Sequence, residues 1–231
     1  VSWVTFINMA YQKLHVAPYE AYIHGAEVVI LEGLGIGSDT SDKLRSVLRK
    51  QCYDFLMAQV PVDKRSIFEQ ANINSQAMSA YTVRGKFGYV PYMIPMGNHA
   101  IPSHLKYSLD APTTRRNVQK LLRSMQLPKP ILLEGSPGTG KTTLLQAIAK
   151  ASGHEIVRIN LSEQTDMMDL LGTDLPVEGS SGGEFQWSDG IFLGALKAGD
   201  WILLDELNLA SQSVLEGLNS VLDHRAEIFI P

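Results

Sequence analysis

The residues that most constrain this chain are Gly135-Ser136-Pro137-Gly138-Thr139-Gly140-Lys141-Thr142, which fit the pattern G-x-x-x-x-G-K-[ST] at every fixed position. The pattern is demanding about its surroundings. Its glycines let backbone N–H groups turn inward around an anion, and the helix that follows adds a favourable partial charge at its N-terminus. Both flanks are suitable. Pro130-Ile131-Leu132-Leu133-Glu134 is an apolar run between proline and glycine, which predicts a short buried parallel strand. Lys141 to Ala151 predicts a helix with Leu144, Leu145, Ile148 and Ala149 facing inward. In that setting Lys141 is expected to reach the β- and γ-phosphates of ATP, and the Thr142 hydroxyl to bind Mg²⁺. Gly135, Ser136, Pro137, Gly138, Thr139, Gly140, Lys141, Thr142 and Thr143 are the candidate nucleotide-contacting residues.

Asp205-Glu206 is the expected second half of the site. These carboxylates end the apolar run Trp201-Ile202-Leu203-Leu204, which predicts a buried strand delivering both to its C-terminal end, where ligands of α/β sheets collect. Asp205 is expected to hold Mg²⁺ beside Thr142 and to complete the nucleotide site. Glu206 is expected to orient or deprotonate the attacking water, a general-base role worth ~10²–10⁴-fold in rate. Glu155 to Asn160 supplies another strand. Strands alternating with helices imply an α/β fold with a parallel sheet and right-handed crossovers.

The chain ahead of this region reads differently. Residues 1 to about 60 predict a small helical bundle: Trp3, Val4, Phe6, Ile7, Ala10 and Leu14 form one apolar series and Ala21 to Leu34 a second. Ser38-Asp39-Thr40-Ser41 offers N-cap side chains to a third helix, closed by Pro61. That helix carries Leu44, Val47, Leu48, Cys52, Phe55 and Leu56 along one face, which makes Cys52 a small core hydrophobe. From 61 to 110 prolines, glycines and aromatics predict a packed linker or short hairpin. Thr113 and Thr114 are expected to cap a helix reaching Arg123, with Val118, Leu121 and Leu122 inward. Arg115, Arg116 and Arg123 read as a solvated face.

Asp166, with Asp169 three residues on and Gly172 as a stop, predicts a capped short helix. Val177 to Gly183 reads as a flexible loop, and Phe185 to Gly190 as a short strand and turn before a helix from Ile191 to Ala198. The lone cysteine excludes an internal disulfide framework, and the six histidines show no metal-ligand spacing. No apolar run approaches the ~18 residues of a membrane span. A net charge of −4 argues against a wholesale basic face, and no sequence-specific nucleic-acid contact is expected.

Several stretches together resemble the midasin family of dynein-related AAA+ ATPases: Leu132-Leu-Glu-Gly-Ser-Pro-Gly-Thr-Gly-Lys-Thr142, Arg158-Ile-Asn-Leu-Ser-Glu-Gln-Thr-Asp166, Leu204-Asp-Glu-Leu-Asn-Leu-Ala210 and Leu222-Asp-His-Arg225 through Pro231. Ala111-Pro-Thr-Thr114 is similar to the linker before a P-loop in that family. The resemblance implies an AAA+ P-loop NTPase large subdomain over 111–231 with a truncated sheet. It implies a helical lid of a preceding module over 1–60 and a linker over 61–110, hence an interior fragment. It further implies ATP and Mg²⁺ as ligands, neighbouring AAA+ modules as partners, and a nuclear motor, in nucleolus and nucleoplasm, that releases assembly factors from pre-60S ribosomal particles.

The family's sheet has five strands, and the strand bearing its sensor asparagine lies between the strands of the two nucleotide motifs. No candidate for that strand precedes Pro231, and the arginine finger is also absent, so weak turnover is expected of this polypeptide alone. Alternative readings are a MoxR-type chaperone ATPase, or a nucleotide-binding structural module or truncated product without turnover.

Overall fold

The computed structural model describes residues 2–34, 41–66, 80–103, 107–136, 138–176, 185–223 and 227. Ser38 to Thr40, Pro137, the Val177–Gly183 loop and the family-like residues from His224 onward, Glu227 aside, lie outside them. The chain forms two units, one of residues 1–96 and 104–148, the other of residues 97–103 and 149–231.

In the first unit, α1 (Ser2–Leu14) packs on α2 (Pro18–Ala26), which opens with proline at its first turn, where the missing N–H costs nothing. The expected single helix from Ala21 to Leu34 instead widens into a π-turn over Glu27–Leu31. Arg49 from α3 (Asp42–Ala58) serves the end of that turn, donating Nε to the Leu31 carbonyl at 2.9 Å and Nη2 to the Glu32 carbonyl at 3.2 Å. Ser41 accepts from Leu44 N and caps α3. Ile23, Ala26, Leu31, Leu56 and Val60 form a buried cluster, with Trp3, Tyr22, Cys52 and Tyr53 packed against it.

The stripe expected along α3 meets the core at only two of its six residues. Leu56 is buried and Cys52 packs on the cluster, but Leu44, Val47, Leu48 and Phe55 are exposed. An apolar periodicity selects a face without specifying that a partner covers all of it.

Residues 81–95 form an antiparallel meander of β1 (Tyr81–Val83), β2 (Lys86–Tyr89) and β3 (Tyr92–Pro95). Against β2 and β3 lies α4 (Pro112–Ser124), with Val118, Leu121 and Leu122 buried. Its N-cap is Ala111 with Pro112 in the first turn, so Thr113 and Thr114 sit inside the helix and do not cap it. Proline's preset φ starts the helix two residues earlier than a Thr113 cap would.

Arg123 also departs from expectation. It is buried, not solvated, and pairs with Glu27 of the π-turn while its guanidinium lies over the Tyr92 ring at 5.5 Å. The carboxylate and the aromatic face together offset the desolvation of the charge. Tyr92 shares a 2.5 Å hydrogen bond with His24 Nδ1, and Tyr89 donates to the Gln119 carbonyl at 3.0 Å. Burial first, and Arg123 second, hold the His24 pKa well below its ordinary value.

This depression has a measurable consequence. His24 stays neutral in the fold but protonates in the unfolded chain below about pH 6.5, so the unfolded state binds more protons there. Its stabilising contribution is present above that pH and lost as pH falls through it, with a slope of up to about 1.4 kcal/mol per pH unit. Glu20, whose carboxyl is pushed up by burial, titrates with the opposite sense. The expected result is therefore a difference: between pH 7 and 5.5, denaturation midpoints of wild type fall more steeply than those of His24→Asn. Parallel curves would show that His24 is protonated in the fold.

In the second unit, β4 (Ile156–Asn160) pairs in parallel with β7 (Trp201–Asp205), Asn160 opposite Asp205. Between them run α6 (Met167–Leu171), a hairpin of β5 (Gly172–Pro176) and β6 (Phe185–Asp189), and α7 (Ile191–Ala198); α8 (Gln212–Leu222) follows. Alternation puts Val157, Ile159, Ile202 and Leu204 on one sheet face, where they meet Leu161, Leu170, Phe192, Val214 and Leu218 in a common core. Arg158, Asn160, Leu203 and Asp205 therefore share the other face. Asp166 and Asp169 form the expected reciprocal capping box of α6. Among the described residues no helix is long and apolar enough to cross a membrane.

Pro130–Glu134 forms no strand. It is unpaired, with Ile131 and Leu132 exposed. A strand exists only when a neighbour supplies its hydrogen bonds, and the parallel sheet among the described residues consists of β4 and β7 alone. The resemblance places a further strand beside this one, and no stretch of the described chain takes that place.

Candidate functional site

The glycine-rich loop lies in the first unit. Gly138 and Gly140 have φ of +78° and +79°, a region that costs an L-residue about 1–2 kcal/mol and glycine almost nothing. These two residues turn the backbone into helix α5 (Lys141–Ser152), where Leu144 N donates to the Gly140 carbonyl at 2.9 Å. Lys141, Thr142 and Thr143 thus occupy the first turn, whose N–H groups have no acceptor within a helix.

The Lys141 ammonium folds back over the loop and donates to the carbonyls of Gly135 at 2.7 Å and Ser136 at 3.0 Å. Thr139 Oγ1 donates to the Ser136 carbonyl at 2.9 Å and braces the same turn. Leu144 and Ile148 of α5 are buried and fix the helix. One residue near the loop was not flagged by the motif: the Tyr107 hydroxyl stands 3.9 Å from where a Cβ on Gly140 would lie.

The acidic strand end lies in the second unit. Asp205 closes β7, and its carbonyl accepts from Leu161 N at 3.0 Å. Its carboxylate is held on both oxygens: Arg158 Nε and Nη2 donate to Oδ2 at 2.9 and 2.6 Å, and Glu206 N donates to Oδ1 at 3.1 Å. Arg158 is the residue that motif reading passed over as a site member. Its position two residues before the end of β4, on the face of Asp205, was the available signal.

Glu206 is exposed and adopts φ +55°, ψ +43°, a left-handed conformation rare for a side chain of its size. Such strain, of order 1–3 kcal/mol, tends to persist where a fold needs a side chain aimed off its strand. Here it turns the chain sharply out of β7, and Leu209 N donates to the Glu206 carbonyl at 2.9 Å in the following short turn.

The chemistry of these donor sets fits a magnesium nucleotide. The loop presents an ammonium and helix N-terminal amides, which suit phosphate. The strand end presents only hard oxygen ligands, which suit Mg²⁺ over softer metals. Among the described residues no cluster of histidine, cysteine and carboxylate side chains forms a separate metal centre.

Comparison with known proteins identifies a family. Residues 130–230 match the family model described as AAA domain, dynein-related subfamily. The chain is 50% identical over 242 aligned residues, covering its whole length, to a midasin of Dictyostelium discoideum. It is 55% identical over 139 residues, 59% of its length, to a midasin of Giardia intestinalis. It spans only 4% and 3% of those two proteins. An uncharacterised Staphylococcus saprophyticus protein is 36% identical over 46% of the chain and 41% of its own length. Through residues 130–230 the chain belongs to the dynein-related AAA domains, and along its whole length it is a midasin-like sequence.

Proposed function

We propose that this chain is the nucleotide-binding part of an AAA+ module in a midasin-like motor, and that the loop and the acidic strand end serve one bound ATP. The observation that carries the reading is the loop itself: two glycines at positive φ lead into α5 at Lys141, so that one short segment carries both an ammonium and the free N–H groups of a helix N-terminus. Gly135 to Thr143 would hold the triphosphate, and Thr142 and Asp205 the metal. Mg²⁺, when bound, would neutralise charge on the phosphate oxygens. Lys141 leaves the carbonyls of Gly135 and Ser136 for the β- and γ-phosphates, and Glu206, thrown clear of the sheet, orients the attacking water. Residues 1–60 act as the lid of a preceding module, 61–110 as a linker, and 111–231 as the front of the large subdomain, with neighbouring AAA+ modules as immediate partners.

The chain is midasin-like along its whole length, and we propose for the full protein a nuclear role in which ATP turnover releases assembly factors from precursors of the large ribosomal subunit. Sedimentation tests this role. Tagged full-length protein is expected to travel with large-subunit precursors on a gradient of nuclear extract, and to accumulate on them when Glu206 is replaced by glutamine. Absence from those fractions in both forms would instead favour a chaperone ATPase with other clients.

A further inference from the structure

The pairing of Arg158 with Asp205 carries a consequence for the metal requirement of the site, and it rests on the nucleotide-site reading above. Both residues stand on one face of adjacent parallel strands, so their contact is set by the β4–β7 register and not by chance surface encounter. Two guanidinium nitrogens converge on Asp205 Oδ2, at 2.9 and 2.6 Å, while the Glu206 amide takes Oδ1. The carboxylate is thus fully engaged from the protein side. The side chains are not sealed in: Arg158 is 47% and Asp205 25% exposed, which leaves the pair open to exchange. Arginine cannot give up its proton in a protein, so its charge persists whatever else arrives.

We propose that Arg158 is a positioning residue that holds the Asp205 carboxylate while no divalent cation is present and yields it as Mg²⁺ binds, so that Arg158 sets how much Mg²⁺ the site requires. Two roles follow from one contact. The guanidinium compensates the Asp205 charge and fixes its rotamer in the nucleotide-free module. It also competes, as a resident cation, with the incoming one for the same oxygen. Removing its charge while keeping a side chain of similar reach therefore makes Mg²⁺ bind at lower concentration. A lysine there keeps the competing charge but loses the paired donation.

The test is a titration of full-length protein with free Mg²⁺ at fixed fluorescent mant-ATP, counting only the signal that Lys141→Ala removes. The half-saturating Mg²⁺ concentration is expected to fall about tenfold in Arg158→Gln, within the range usual for coupled sites. In Arg158→Lys it is expected to stay within about threefold of wild type, retaining charge competition. Mant-ATP affinity measured in EDTA should be unchanged in both variants, which separates metal competition from general damage to the fold. An unchanged or raised Mg²⁺ requirement in Arg158→Gln overturns the proposal. So does an equal fall in both variants, since the lysine form keeps the charge. If Lys141→Ala removes no mant-ATP signal at all, the nucleotide-site reading itself fails, and that outcome is visible before either Arg158 variant is measured.

Discussion

Lys141→Ala is expected to lower the ATP affinity of this loop by at least about a hundredfold. The expectation rests on the hydrogen bonds that the ammonium would make to phosphate. A charge-assisted hydrogen bond contributes about 1.5–3 kcal/mol, and an ammonium bridging two phosphates makes more than one of them. A loss of about 2.7 kcal/mol already corresponds to a hundredfold. The measurement is equilibrium nucleotide binding to full-length protein, with the difference between wild type and variant assigned to this module. Unchanged affinity would refute the assignment of the loop as a phosphate cradle.

Glu206→Gln is expected to leave ATP binding intact and to lower turnover by about 10²–10⁴-fold. Glutamine has the same shape and polarity, so it can take the same left-handed backbone position and keep the amide contact to Asp205. What it lacks is the basicity that accepts a proton from water. The two properties therefore separate: nucleotide is retained and turnover is lost, read as single-turnover hydrolysis of bound ATP by the full-length protein. Normal hydrolysis in that variant would remove Glu206 from the chemistry. A loss of binding would show that its role is structural.

The conformation of the glycine-rich loop was legible in the sequence because its parts are local. Gly138, Gly140 and Lys141 lie within four residues, and the conformation they need is set by residue type. The same holds for the Asp166–Asp169 capping box. What escaped depends on partners far along the chain. Arg123 was read as solvated because arginine usually is, whereas Glu27, 96 residues earlier, draws it into the core. Gly172–Pro176 has little intrinsic strand preference and becomes β5 only by pairing with Phe185–Asp189. Ile131 to Leu133 shows the converse. Its apolar residues have strand propensity, yet no neighbour among the described residues pairs with it. Arg158 was visible as a residue and became a candidate only when the β4–β7 register set it beside Asp205.

One nucleotide held by both the loop and the acidic strand end is the central proposal. The measurement that addresses it most directly is a structure of the full-length protein with Mg²⁺ and a non-hydrolysable ATP analogue. The expected density shows the Lys141 ammonium on the β- and γ-phosphates, with Thr142 and Asp205 both directed at the same magnesium ion. An analogue bound through the loop while Asp205 remains clasped by Arg158, remote from the metal, would contradict it.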